Sequence, residues 1–335
     1  DFYIELEGEL GFVDLLEKLS ENNFNAEQLK KHGKKIVNTC YVYDNQLIGG
    51  KVERIKDINI IPSPYLTGAL DRNFQLPLIP MIETTRGCPF TCTFCADGLG
   101  IKSKINRYEF NRTRDELQYI AKKINKIDEL IVTDLNFGMY KQDLETAKEI
   151  AKIQKDYKYP ISVDAPAGKN MPKRIINIAS IMKGWSMGGV IQSSDPSVLK
   201  AIRRSNISVS AYKELIDYGN TQKSNRTYTE IILGLPNDTK EKHFKSLRLG
   251  VEKNVNNLRM HQAMLLTGTE MASKEDREKY GLMTKFRTLP GNVGNYNILD
   301  KEHPVAEVEE IVVGSNTLSM DDYIECRIMN LIIKT

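Results

Sequence analysis

Three of the five cysteines in this 335-residue chain fall within eight residues, in the run IETTRGCPFTCTFCADG over 82–98. Cys88, Cys92 and Cys95 are spaced C-x3-C-x2-C, and the next hundred residues hold no other Cys or His. A structural zinc site takes four Cys or His ligands, commonly in two separated pairs. A ferredoxin cluster also takes four cysteines. Cys40 and Cys326 lie far away in sequence. Chance clustering of buried thiols is the remaining plain reading. Three thiolates and no fourth suit a [4Fe–4S] cluster with one iron left open, and an open metal position is what catalysis needs.

An open iron accepts a ligand that offers an amino and a carboxylate group, and S-adenosylmethionine (SAM) offers both. An electron from the cluster then splits the sulfonium carbon–sulfur bond and releases a 5′-deoxyadenosyl radical. The cofactors carry that chemistry and the protein holds them. GCPFTCTFC resembles the C-x3-C-x-Φ-C motif of the radical SAM superfamily, with Phe94 as the aromatic Φ. The resemblance covers residues 80–285. It implies an α/β fold, a partial (β/α)6 TIM-like barrel with the cysteine loop after its first strand.

The same resemblance implies a SAM site. TDLNFG, residues 133–138, follows the second strand, and Asp134 and Asn136 are its candidates for the SAM amino group. In VIQSSDPSVLKAIRRSN, residues 190–206, Gln192 and Ser193 are placed at the ribose and Arg204 at the SAM carboxylate. A planar guanidinium donates two hydrogen bonds to a carboxylate. The plainer reading of Arg203 and Arg204 is a solvated helix end. In EIILGLPNDT, residues 230–239, Gly234 allows the backbone to approach adenine. In LRMHQAMLL, His261 or Gln262 points into the barrel; a lone His is more often structural, and no catalytic side chain is assigned.

These residues need elements to position them. From residue 81, short apolar runs near 81–86, 129–134, 160–164, 187–192, 227–233 and 258–265 read as strands. Amphipathic stretches near 113–125, 141–156, 171–183, 196–204, 209–219 and 239–254 read as helices. Such alternation predicts a parallel sheet covered by helices, with too few units for a complete eight-fold barrel. Asp195-Pro196 marks one helix start, and Asp238 with Glu241 reads as a capping box at another. Residues 286–335 read as Gly/Asn-rich turns (LPGNVGNYN) and then an apolar helix near 320–333, a C-terminal helical extension.

The front of the chain narrows the branch. DFYIELEG alternates like a strand, and LGFVDLLEKLSE puts Phe12, Leu15, Leu16 and Leu19 on one helical face. IVNTCYVYDNQLIGGKV reads as a hairpin turning at Asp44-Asn45. EGEL, residues 7–10, resembles the turn before the closing helix of cobalamin-binding domains, and IPSPYLTGALD, residues 61–71, resembles the linker that follows them. The layout is therefore a remnant of a Rossmann-like cobalamin-type domain with a hairpin over 1–61, a Pro-rich linker over 62–80, the barrel over 81–285 and the extension over 286–335. The chain does not begin with Met, and a longer protein with an upstream segment is expected. The cobalamin motif D-x-H-x-x-G is absent, and His32 in KKHGKK does not supply it, so cobalamin rests on analogy alone.

Bulk composition limits partners. Lys plus Arg is 47 against 44 for Asp plus Glu, a net charge of +3, and no basic block favours nucleic acid. No apolar run approaches the roughly 18 residues of a membrane span. Clustered, unpaired cysteines suit a reducing cytoplasm. The resemblance implies a small-molecule or biosynthetic substrate and a reducing partner such as flavodoxin or ferredoxin. The alternatives are a methylthiotransferase-like RNA modifier, whose usual extra three-Cys and basic domains are not seen, and a non-catalytic iron–sulfur electron carrier.

Overall fold

The computed structural model describes residues 1–186, 188–222 and 227–334. The chain divides into two units, Asp1–Ser63 with Asn106–Tyr108, and Pro64–Ile105 with Glu109–Thr335. Among the described residues no helix is long and apolar enough to cross a membrane.

The first unit holds β1 (Tyr3–Ile4), α1 (Gly8–Glu21), α2 (Ala26–Lys31), β2 (Thr39–Tyr43) and β3 (Gln46–Gly49). The β2–β3 hairpin turns at Asp44 and Asn45 with φ of 49° and 58°, as the two central residues of a type I′ turn require. β1 pairs antiparallel with β2, Tyr3 opposite Cys40. Leu15, Leu29, Ile36 and Tyr41 form a small core. Of the apolar face expected on α1, Leu15 is buried, whereas Phe12 is 51% and Leu16 39% exposed.

The second unit carries the parallel strands. β4 (Met81–Ile82), β5 (Glu129–Val132) and β6 (Ser162–Asp164) lie side by side in chain order. β7 (Tyr228–Leu233) pairs in parallel with β8 (Asn257–Gln262), Tyr228 opposite Asn257. Between the two sets runs the segment expected as a strand over 187–192. Among the described residues it makes single parallel bridges, Trp185 to Val163, Gly188 to Tyr228 and Gln192 to Ile231; Met187 lies outside them. The glycines explain its course. A Cβ on Gly188 would stand 2.3 Å from the Tyr228 ring, and one on Gly189 2.5 Å from the Tyr212 ring. Only a bare backbone passes over both rings, and such a segment offers little side chain to hold a regular ladder.

The crossovers are α3 (Phe110–Lys123), α4 (Asp143–Tyr157), α5 (Pro172–Ile181), α6 (Pro196–Ala201), α7 (Val209–Thr221) and α8 (Lys240–Glu252). Asp195 caps α6 as expected, accepting from Ser197 N at 2.9 Å and Val198 N at 3.2 Å. The α8 start differs. Thr239 is the N-cap and accepts from Lys242 N, while Asp238 turns inward to accept from Gly234 N at 3.3 Å. The main core gathers Leu130, Val132, Phe137, Ile150, Ile175 and Trp185 beneath the sheet.

The C-terminal part is not purely helical. After α9 (Lys274–Tyr280), β9 (Met283–Ile298) and β10 (Lys301–Gly314) form a long antiparallel hairpin, and α10 (Met320–Lys334) follows. The glycine- and asparagine-rich stretch is not a turn. A register shift between Thr288 and Val293 absorbs it inside β9, and the chain reverses at Leu299-Asp300, both at positive φ. The base of the hairpin is anchored. Ile311, Val312 and Val313 are buried, and Met264 bridges Ile311. Arg277 on α9 clasps Glu310 with two bonds of 2.6 and 2.7 Å.

Candidate functional site

The cysteine loop leaves the C-terminal end of β4, where open α/β sheets place ligands. The strand expected over 81–86 is interrupted there. The N–H groups of Thr84 and Thr85 leave the ladder and donate to Asp134 Oδ1 at 2.7 and 3.0 Å, and the Thr84 hydroxyl donates to Asp134 Oδ2. The loop then winds on itself. Cys88 N donates to Lys102 O at 3.1 Å, Cys95 N to Cys92 O at 3.2 Å, and Gly98 N to Cys95 O at 2.9 Å. A Cβ on Gly98 would lie 2.2 Å from Cys92 O, so this winding needs glycine there. Thr93 is tied on both sides, its N–H to Ile202 O and its carbonyl to Met271 N.

All five cysteines are free thiols; Cys88 and Cys92 are buried and Cys95 is partly so. Side-chain donors meet the loop's sulfurs, Asn136 and Lys169 among them, and the Arg204 guanidinium also interacts with Cys92. Asn136 Nδ2 lies 3.5 Å from Cys88 Sγ, and Lys169 Nζ lies 3.6 Å from Cys92 Sγ. Burial pushes the Cys95 thiol up, while the Asp97 N–H and the Lys169 charge pull the other way. Among the described residues no three Cys, His, Asp or Glu side chains converge as ligands of one ion. The group to be fitted is a cluster, in which each thiolate would take its own iron. The residues present fit it: three neighbouring thiols at the end of a strand, with N–H donors aimed at two of the sulfurs.

The other residues singled out in the sequence separate into distinct roles. Asp134 is fully buried, and both its carboxylate oxygens are occupied by Thr84 and Thr85; burial raises its pKa against those hydrogen bonds. Asn136, two residues on, keeps a buried Oδ1 with no partner among the described residues. Gln192 sits at φ 60° with its backbone bonded to Glu230 and Ile232, and its buried Oε1 is also without a partner among the described residues. Ser193 is buried and accepts from Asp195 N through its hydroxyl. Gly234 has φ 85°, and a Cβ there would come no nearer than 3.4 Å to Val312. Conformation, and not space, calls for glycine at that turn.

The two arginines part company. Arg203 is exposed and pairs with Glu270. Arg204 is 6% exposed, so it is not a solvated helix end. Its guanidinium donates to Val190 O and, at 2.9 Å, to Asn206 Oδ1. Burial pulls its pKa down, while Cys92, Glu230 and Cys95 act in the opposite direction. Asn206 in turn donates to the carbonyls of Ile191 and Ser193 at 2.9 Å. One arginine–asparagine pair thus ties the bridging segment over 190–193 to the chain that follows α6.

Phe94 and Cys95 open onto a cavity of about 580 Å³. Its walls include Ile232 and Leu235 around the end of β7, His261 to Met264 at the end of β8, and Arg287, Leu289 and Glu309 from the hairpin. His261 and Gln262 both line it. Gln262 is engaged on both ends of its amide, with the Tyr323 hydroxyl and with Arg287. The hairpin residues and Lys169 escaped sequence reading. For Lys169 a signal existed: it follows β6 in APAGKN, a loop at the ligand-bearing end of a parallel strand. For the hairpin there was none, because its register is a tertiary property.

The Radical SAM superfamily profile matches residues 82–249, half of the chain, and this chain belongs to the radical SAM superfamily, whose cofactors are a [4Fe–4S] cluster and SAM. Its fold is the mixed α/β fold of that superfamily. It is 31% identical over 298 residues to the cobalamin-dependent radical SAM methyltransferase TokK of Streptomyces tokunonensis, covering 83% of this chain and 41% of that protein. It is 28% identical over 346 residues to the 2-(S-pantetheinyl)-carbapenam-3-carboxylate methyltransferase of Streptantibioticus cattleyicolor, covering 97% and 47%. The solved structure of the radical SAM methyltransferase TsrM from Kitasatospora setae matches with a TM-score of 0.61 at 13% identity, over 89% of this chain and 57% of that one. That likeness is one of fold. The chain spans less than half the length of the two curated relatives.

Proposed function

We propose that this chain is the cluster- and SAM-binding part of a cobalamin-dependent radical SAM methyltransferase acting on a small molecule or biosynthetic intermediate. The observation that carries the reading is the cysteine loop itself: three free thiols, two of them met by N–H donors, opening through Phe94 and Cys95 onto a cavity. The proposed layout is a partial (β/α)6 barrel over 81–285, a linker over 62–80, a cobalamin-type remnant over 1–61 and the hairpin with its helix beyond 286. The chain-order run of parallel pairings from β4 to β8 supports the barrel. Identity to TokK supports cobalamin and methyl transfer.

Bound together, the cluster and SAM supply one-electron cleavage of the sulfonium carbon–sulfur bond. The chain's part is to hold and orient. Cys88, Cys92 and Cys95 hold three irons. Asn136 Oδ1, buried and without a partner among the described residues, would accept from the SAM amino group, while Asp134 already accepts three hydrogen bonds from Thr84 and Thr85. Arg204 has five N–H donors, more than Val190 and Asn206 use, and the remainder serve the SAM carboxylate. Gln192 and Ser193 meet the ribose. Phe94, Ile232, Leu235 and the turn at Gly234 give adenine an apolar wall. Electrons come from a flavodoxin or ferredoxin.

The test is anaerobic reconstitution with iron and sulfide, then SAM and dithionite, with 5′-deoxyadenosine measured. The wild-type chain is expected to release it. Cys88→Ala, Cys92→Ala and Cys95→Ala each abolish release, whereas Cys40→Ala and Cys326→Ala retain it. A requirement for Cys40 or Cys326 in holding iron would sink the open-site reading.

A further inference from the structure

Lys169 is held at the cysteine loop by a backbone arrangement that does not involve the loop itself. Phe137 N donates to Pro166 O at 2.9 Å and Gly168 N to Phe137 O at 2.8 Å, so the strand-end loops after β5 and β6 are stitched together. That stitch sets Asn136 against Cys88 and Lys169 against Cys92. The lysine ammonium rests 4.7 Å from the centroid of the Phe90 ring, within the loop between Cys88 and Cys92. It forms no ion pair with a carboxylate among the described residues, unlike the neighbouring Lys102, which pairs with Asp97 at 3.1 Å. Its charge is therefore not cancelled locally. A lysine with no task at the sulfur would extend into water; this one is partly buried, with an aromatic face below it and a thiol in front.

We infer that Lys169 sets the reduction potential of the cluster. The inference rests on the cluster reading above. Reduction moves one electron from an external low-potential donor onto the cluster, which goes from the 2+ to the 1+ state; the donor loses one electron, and no atom or proton is transferred. The cluster and its thiolates gain one negative charge. An unpaired cation at a ligand sulfur is attracted more strongly to the reduced form, and hydrogen bonding to the sulfurs acts in the same direction. Lys169 therefore makes reduction easier. Asn136, a neutral donor on a different sulfur, contributes a dipole and no charge. Lys169 is a positioning residue for electron entry: it touches a cluster ligand and no reacting atom of the substrate.

The experiment is a redox titration of the reconstituted protein, followed by electron paramagnetic resonance of the reduced cluster, on wild type, Lys169→Met, Lys169→Arg and Phe90→Leu. Iron content and SAM affinity are measured on the same samples. Lys169→Met is expected to lower the reduction equilibrium constant at least about tenfold, a fall of about 59 mV for one electron. Lys169→Arg keeps the charge and stays near wild type. Phe90→Leu removes the ring that seats the ammonium and gives a smaller fall. An unchanged potential in Lys169→Met with full iron content overturns the inference, as does weaker SAM binding at unchanged potential, which would make Lys169 a SAM ligand instead. If the Met variant does not retain iron, Phe90→Leu decides by the sign of its shift, and no fall overturns the inference. Wild-type protein without a cluster signal would instead count against the cluster reading itself.

Discussion

Asp134 and Asn136 stand two residues apart in one polar loop, and their environments assign them opposite work. Asp134 terminates the ladder by taking the N–H groups of Thr84 and Thr85. Asp134→Ala strands those buried donors, each at about 1–3 kcal/mol. A clear drop in the denaturation midpoint is expected, with iron content falling only as the fold loosens. Asn136→Ala leaves the strand intact. It is expected to keep iron and to weaken SAM binding by about 1 kcal/mol, the worth of one hydrogen bond; unchanged affinity in equilibrium dialysis would free Asn136 from the SAM site. Arg204→Ala should cost more. It would lose the proposed charge-assisted contact to SAM, worth about 1.5–3 kcal/mol. It also leaves the carbonyl of Val190 without its donor, so SAM affinity and thermal stability should fall together.

At the scale of elements, α8 shows how a cap and a buried acid can exchange places. Thr239 caps the helix, and Asp238 is left 2% exposed, with burial raising its pKa from an ordinary 3.8 to about 7 despite N–H bonds from Gly234 and Thr239. His243, 4.0 Å away, is pulled down by burial, so the pair is most stable uncharged. The sign follows. Between 3.8 and about 7 the folded state holds a proton that the unfolded chain has released, so this group's contribution is full below that window and is lost as pH rises through it. Asp238→Asn removes the titration. The stability difference between wild type and this variant should shift against wild type from pH 4 towards pH 7, and a flat difference in urea midpoints would contradict the assignment. The hairpin carries the opposite lesson. Glycines and asparagines over 289–297 read as turns, yet the chain absorbs them in a bulge, because pairing of β9 with β10 outweighs local preference.

At the scale of the molecule, the two units carry different shares of the proposal. The second holds the cysteine loop and the cavity. The first presents Leu10, Phe12, Val13 and Leu16 of α1 to solvent, a face suited to packing against more of a longer protein. This chain alone is expected to bind the cluster and cleave SAM without cobalamin. If the proposed layout holds, a longer protein, produced with cobalamin supplied, is expected to show cobalamin in its absorption spectrum and mass, and α1 should exchange its amide hydrogens more slowly there. Bound cobalamin in the short chain, or its absence from the longer protein, would overturn this division of labour.

What sequence alone determined was whatever local spacing encodes. C-x3-C-x2-C names its chemistry because three thiolates in eight residues have few other uses, and alternating periodicity names a parallel α/β unit because strands and helices bury different faces. The Asp195-Pro196 cap and the Asp44-Asn45 turn were legible for the same reason: each is settled within four residues. What only the tertiary structure decided depends on partners distant in the chain. Asp134 became a clamp because Thr84 and Thr85, some fifty residues away, turn their N–H groups to it. Arg204 is buried and not a solvated helix end because its guanidinium turns in to the carbonyl of Val190, fourteen residues earlier. Lys169 acquired a role because a stitch between two loops brings it to Cys92, 77 residues earlier. The energy of each such contact is a property of desolvation and geometry at the meeting point, and no spacing within a single stretch records it.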